Sequence, residues 1–182
     1  MSDEQNAVEH WLDNVVIGLN LCPFAAMPRR NNQIHFAVSK ATSTDDLLND
    51  LYHELKRLID TPAKEIETTL LILPHILAKF DDYNQFLDTV DELLVEFDWE
   101  GVFQVASFHP DYCFAETAET SAENLTNRSP YPILHIIREA SMEKALEHMA
   151  SPDEVFKRNI KTMNNLSADE IRTLFPYLKN NM

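Results

Sequence analysis

Two glycines, Gly18 and Gly101, are all that a chain of 182 residues contains. Average usage of about 7% would supply roughly 13. Backbone that adopts positive φ, or lies close against a phosphate, needs glycine. Neither a dinucleotide fingerprint nor a P-loop can be written with these two, and the nucleophile elbow Gly-x-Ser-x-Gly is absent as well. The chain has to fold, and to bind whatever it binds, without the commonest glycine loops.

The size suits one domain spanning 1–182, with a single sizeable core. Thirty Asp and Glu against fifteen Lys and Arg give a formal charge of −15. Counterion-driven nucleic-acid binding needs a basic face, so DNA and RNA are excluded as expected partners. Anionic membranes should repel such a surface. The start, Met1 to His10, has no basic region of the kind that precedes a signal sequence. No apolar run approaches the roughly 18 residues of a membrane span. With only Cys22 and Cys113 present, a disulfide framework is not expected, and a cytoplasmic location is. Nothing in the sequence sets the oligomeric state.

Periodicity divides the chain. Val8, Trp11, Leu12, Val15, Val16 and Leu19 lie at helical spacing, predicting a helix over 5–20. Leu21-Cys22-Pro23-Phe24 leaves it. Residues 34–38 alternate as a strand. Thr42-Ser43-Thr44-Asp45-Asp46 offers an N-cap for a helix to about Asp60. The apolar run 68–73 suits a strand covered on both faces. A second helix, marked by Phe86, Val90 and Leu94, leads to a third strand, Val102 to Phe108. Ser129 as N-cap with Pro130 after it predicts a helix over 130–149. Ser151-x-x-Glu154 and Ser167-x-x-Glu170 fit the capping box of two closing helices. The expected fold is α/β, a small three- or four-stranded, mostly parallel sheet flanked by helices with a helical C-terminal end. The alternative is a ferredoxin-like α+β sheet with a further strand not visible in the pattern.

Chemistry-bearing residues crowd into 105–139. In open parallel sheets ligands sit beyond the carboxyl ends of strands, which points to Ser39-Lys40, Pro74-His75 and His109-Pro110-Asp111. If the second and third strands are neighbours, His75 and His109 share one rim, since strands lie about 4.8 Å apart. The loop 112–128 is long enough to be a lid, with a short unrecognised helix as the competing reading. Asn127, Arg128, Ser129 and Tyr131 mark a helix start, where free N–H groups and a guanidinium fork suit an anion. His135 and Arg138 would share a face of that helix. Cys22 is a nucleophile candidate if a cation or helix N-terminus stabilises its thiolate; the alternative is an inert buried thiol. His109, Asp111 and His135 have the composition of a two-histidine, one-carboxylate metal site, and Cys22, His109 and His135 that of a zinc set.

Two stretches are distinctive together: Trp11-Leu-Asp-Asn-Val-Val-Ile-Gly-Leu-Asn-Leu-Cys-Pro-Phe-Ala25, and Ala106 to Ala140 with Ser-Phe-His-Pro-Asp-Tyr and Thr-Asn-Arg-Ser-Pro-Tyr-Pro. They resemble a bacterial family designated domain of unknown function 1415. The resemblance implies a stand-alone bacterial protein, cytoplasmic in location. It implies no reaction, cofactor or catalytic residue.

The leading functional expectation is a small-molecule enzyme, a hydrolase or transferase acting on an anionic metabolite. His109 with Asp111 would act as acid or base, Arg128 as anion binder and Cys22 as nucleophile. A non-catalytic ligand- or protein-binding module is the alternative, and a metal site the third reading. The cofactor is left open.

Overall fold

The computed structural model describes residues 2–146 and 152–178. Helix α1 (Asp3–Trp11) starts at Ser2, whose hydroxyl accepts from the Gln5 N–H. It runs on into a π-helical stretch, Leu12–Ile17, in which Gly18 N–H bonds to Asp13 O. A Cβ on Gly18 would collide with the Asn14 carbonyl, so this tight exit requires glycine. The predicted helix over 5–20 is therefore an α-helix with a π-helical second half. Its apolar stripe is buried as the spacing implied: Val8, Trp11, Leu12, Val15 and Val16 are all 6% exposed or less.

A short helix, α2 (Ala26–Arg30), precedes β1 (Ile34–Val38). Helix α3 (Thr44–Asp60) is capped by Ser43 and leads to β2 (Thr68–Ile72), which is buried throughout. Helix α4 (Phe80–Glu96) leads to β3 (Phe103–Phe108). A 3-10 helix, Ala122–Asn127, interrupts the long loop, followed by β4 (Ile133–Arg138), α5 (Glu139–Leu146), α6 (Pro152–Asn164) and α7 (Ala168–Leu174). Ser167 and Glu170 form the predicted capping box of α7. The box beginning at Ser151 falls partly outside the described residues.

The strand order is β1-β2-β4-β3. Only β1 and β2 pair in parallel, while β4 is antiparallel to both β2 and β3. The α/β expectation holds, and the mostly parallel sheet is corrected to a mostly antiparallel one. The cause is β4, which occupies part of the predicted helix 130–149. Ile133, Leu134 and Ile136 are buried in mid-sheet and Ile137 continues their apolar run, and a run that short reads equally as helix or strand by period alone. Prolines at 130 and 132 suit an extended approach to it. Because β4 sits between β2 and β3, those two are about 9–10 Å apart, so they are not the neighbours that a shared rim for His75 and His109 requires.

Helices cover both faces. Leu71, Leu134, Ile136 and Phe103 pack against Leu47, Leu51, Leu55 and Leu58 of α3 and Tyr83, Phe86 and Val90 of α4. Leu70, Ile72 and Ile133 pack against Val8, Trp11, Leu12, Val15 and Val16, with Met163 and Phe175 from the C-terminal helices. The alternation of strand side chains sorts them between the two layers. The shortage of glycine shows in the turns, where Asn20, Asn32, Leu77, Asp98 and Glu116 take positive φ. Asparagine and aspartate tolerate that region better than most residues; leucine and glutamate do not.

Candidate functional site

Of the residues expected to carry chemistry, Arg128, Asn127, His109 and Asp111 lie close together, and most of their polar atoms are bonded to backbone. Arg128 is 9% exposed. Its Nε donates to Tyr112 O (3.2 Å) and an Nη to Glu119 O (2.7 Å), which ties down the loop 112–119. Its own carbonyl accepts from Trp11 Nε1 (3.0 Å) and from the Tyr177 hydroxyl (3.1 Å). One residue thus joins the first helix, the C-terminal segment and the long loop. Burial pushes the guanidinium pKa down, opposed by the charges of Asp111 and Glu119.

His109 is fully buried. Its Nδ1 accepts from the Asp111 backbone N–H (2.9 Å), and its Nε2 lies 3.1 Å from Leu77 O. A carbonyl only accepts, so Nε2 carries the proton and the ring is the neutral Nε2–H tautomer. Both nitrogens are engaged with backbone, and the rings of Phe80 and Tyr83 lie 5.4 and 5.2 Å away. Asp111 reaches His109 through its backbone, and its own side chain is exposed.

Asn127 Nδ2 donates to Ser107 O, and the Asn127 carbonyl accepts from the His109 N–H. Together these bonds pin the 3-10 helix to the end of β3. Ser129 Oγ donates to Tyr131 O, and Tyr131 packs in the layer that contains α1. No helix begins here, so the anion site expected at a helix N-terminus is replaced by an extended approach to β4. His135 and Arg138, three apart on a strand, point to opposite faces of the sheet instead of sharing a helix face.

Each has a structural partner. The Thr68 hydroxyl donates to Ile136 O (2.6 Å), so His135 Nε2–H donates to Thr68 Oγ1 (2.7 Å). Burial pushes the His135 pKa down to about 4. Arg138 donates to Leu58 O, Thr61 O and Ile66 O, a cation on the C-terminal end of α3 where the helix dipole is negative.

Cys22 packs with the α1 layer, whereas the rings around His109 belong to α4 on the opposite face. Burial pushes its thiol pKa up. The N–H groups of Phe24 and Ala25, which favour the thiolate, do not offset this. Cys113 is engaged with the Phe114 and Thr117 carbonyls. His75 is exposed. No cluster of three or more His, Cys, Asp or Glu side chains among the described residues is arranged to hold a metal ion. His109, Asp111 and His135 are not brought together as a ligand set.

The loop 112–128 is built, not loose. Tyr112 and Phe114 rings lie 5.0 Å apart, Phe80 is 5.0 Å from Tyr112, and Phe114 meets Phe156 of α6 at 6.1 Å. Asn124, fully buried, accepts from Phe114 N–H and donates to Ala118 O.

Open polar surface lies elsewhere. A groove of about 260 Å³ between β1 and α3 is lined by Lys40, Asp50, His53 and Glu54, among others. It stands beyond the carboxyl end of β1, where Ser39 Oγ donates to Asp50 (2.6 Å). Burial raises the Glu54 pKa, but bonds from His35 and Arg57 outweigh it and hold the carboxyl below its ordinary value. The strand-end rule pointed to Ser39-Lys40. The i, i+3, i+4 spacing of Asp50, His53 and Glu54 was the signal that would have added α3.

Fold and site together define a mixed α/β protein whose central polar cluster is closed on itself by backbone hydrogen bonds. Residues 3–173 match the family described as Protein of unknown function (DUF1415), and the chain belongs to that family. The two stretches that carried the resemblance meet in space, through the Trp11–Arg128 bond and the Trp11–Phe108 ring contact at 5.1 Å. No curated protein and no solved structure matches the chain. Among the described residues no helix is long and apolar enough to cross a membrane.

Proposed function

We propose that this protein is a non-catalytic binding module, in which the polar cluster around Arg128 holds the fold and does no chemistry. One observation carries the reading. His109, the residue best placed to be an acid or base, has both ring nitrogens bonded to main-chain groups. A general base needs a nitrogen within reach of the substrate proton, and this ring offers none without unmaking a structural bond. Arg128 is held in the same way by two loop carbonyls.

The test is long-range ¹H–¹⁵N NMR of the His109 imidazole with a parallel screen of anionic metabolites. The expected result is the Nε2–H tautomer with a proton protected from solvent exchange, unchanged by every metabolite. A metabolite that shifts the His109 ring signals and is turned over would overturn the reading.

The second reading keeps catalysis and places it at Cys22, favoured by the Phe24 and Ala25 N–H groups beside its sulfur. Alkylation resolved by peptide mapping separates the two. A binding module has Cys22 reacting more slowly at neutral pH in the folded protein than in urea. Faster reaction in the folded state would mark an activated thiolate.

A further inference from the structure

We infer that the C-terminal end of α4 and the turn after it form a docking surface for a cationic amphipathic segment of another protein. This inference rests on the binding-module reading and names the surface and the partner.

The first observation is apolar exposure. Val95, Phe97 and Val102 are 57%, 40% and 40% exposed and fall within eight residues of one another in the chain. Among the described residues the other large exposed apolar side chains, Met27, Ile59 and Phe156, are on different elements. Phe97 stacks on Trp99 at 5.1 Å and lies 4.9 Å from Tyr52 of α3, and Tyr52 stacks on Trp99 at 5.6 Å. Phe97, Tyr52 and Trp99 thus form an aromatic cluster at the C-terminal end of α4, with Val95 two residues before Phe97 in the chain and Val102 in the turn that follows. Aromatic anchors of this kind are enriched at protein interfaces.

The second observation fixes the partner's charge. From Phe80 to Asn127 the chain holds twelve Asp and Glu and neither Lys nor Arg. A shallow groove of about 420 Å³ runs along α4 beside Val95, lined otherwise by Asp88, Asp91, Glu92 and Glu96. Those side chains span about 12 Å of helix at 1.5 Å per residue. No basic residue occupies the last turn of α4, so the negative end of the helix dipole adds to the acids. Asp98 and Glu100 extend the rim, both exposed.

A second copy of the chain is the wrong occupant. It carries the same −15 charge, and pairing this face with its like would set acid against acid. A segment with apolar residues at helical spacing and Lys or Arg beside them answers both observations. The apolar area is small, so the complex should be transient and weakened by salt.

The test uses the intact protein and a synthetic Leu/Lys peptide of roughly 18 residues, five helical turns, by calorimetry and ¹H–¹⁵N spectra. The expected result is saturable binding on the order of micromolar, with shifts confined to Tyr52 and residues 88–102. Glu92→Gln with Glu96→Gln should weaken it about tenfold, as should Val95→Ser. Val95 is chosen for substitution ahead of Phe97 because it is the more exposed, at 57% against 40%, so its loss disturbs folding less. An oligolysine of equal charge should bind at least tenfold more weakly. Equal binding of oligolysine, shifts spread over other acids, or no binding would overturn the inference. In each case the His109 signals report separately on the reading it rests on. If they stay fixed, the structural role of the polar cluster survives the loss of this docking face.

Discussion

Helices α3 and α4 are both seventeen residues long and cover the same face of the sheet, yet their C-terminal ends are opposites. The end of α3 is finished for stability: Arg57 lies in its last turn and the Arg138 guanidinium caps its carbonyls. The end of α4 has acids against the helix dipole, Val95 and Phe97 exposed to solvent, and Asp98 at positive φ in the position glycine usually takes. Its Schellman bonds, Trp99 N–H to Leu94 O and Asp98 N–H to Val95 O, are intact. The α4 end is thus well formed in backbone and poorly chosen in side chains. Such local conflict with stability is the usual mark of a surface kept for another purpose.

The interior cations sit on the α3 side of this contrast, and the largest effect is expected at Arg128. Arg128→Met should cost about 3 kcal/mol in urea unfolding, because it removes two charge-assisted, part-buried hydrogen bonds to the Tyr112 and Glu119 carbonyls. A neutral result would mean the loop does not depend on it. Arg138→Met should cost about 2 kcal/mol, uncapping α3, whereas no cation is available to remove from the end of α4.

His135 gives a pH signature of the same closed interior. Its folded pKa of about 4 lies below the unfolded value of about 6.5. Between those values the unfolded chain binds more protons, so stability is full above about pH 6.5 and falls as pH drops toward 4. The loss is on the order of 2–3 kcal/mol. Thermal unfolding followed from pH 7 to 4 measures it, and His135→Gln should flatten the slope. An unchanged slope would show that other groups set it. Among the described residues, Thr69 is the interior's exception. Its buried hydroxyl has no hydrogen-bond partner, so Thr69→Val should be neutral or stabilise by about 1 kcal/mol. A loss of more than about 1 kcal/mol would mean that an ordered water satisfies it.

How much of this was legible in the sequence divides along physical lines. The first helix, the Ser43 cap and the apolar β2 were readable because period and capping chemistry are local. Strand β4 was not, because Ile133 to Ile137 is apolar on both faces and Pro130 after Ser129 imitates a helix start. That one ambiguity turned the sheet antiparallel and moved Arg128 from an anion site to a loop clamp. The crowding of polar residues in 105–139 was visible. Their engagement with backbone was not, because carbonyl partners such as Leu77 O and Glu119 O leave no trace in residue type. The α4 end was readable as charge, but exposed Val95 and Phe97 look like core residues until the helix is packed.

The smallest expected stability change tests the central contrast most directly. Glu96→Lys places a cation at the negative end of α4, and it should raise stability by about 0.3–1 kcal/mol while weakening the Leu/Lys peptide about tenfold. Measured on one sample by urea unfolding and calorimetry, a more stable and less adhesive protein is the expected result. A variant that loses stability, or that binds the peptide as tightly as before, would contradict the assignment of this helix end to binding.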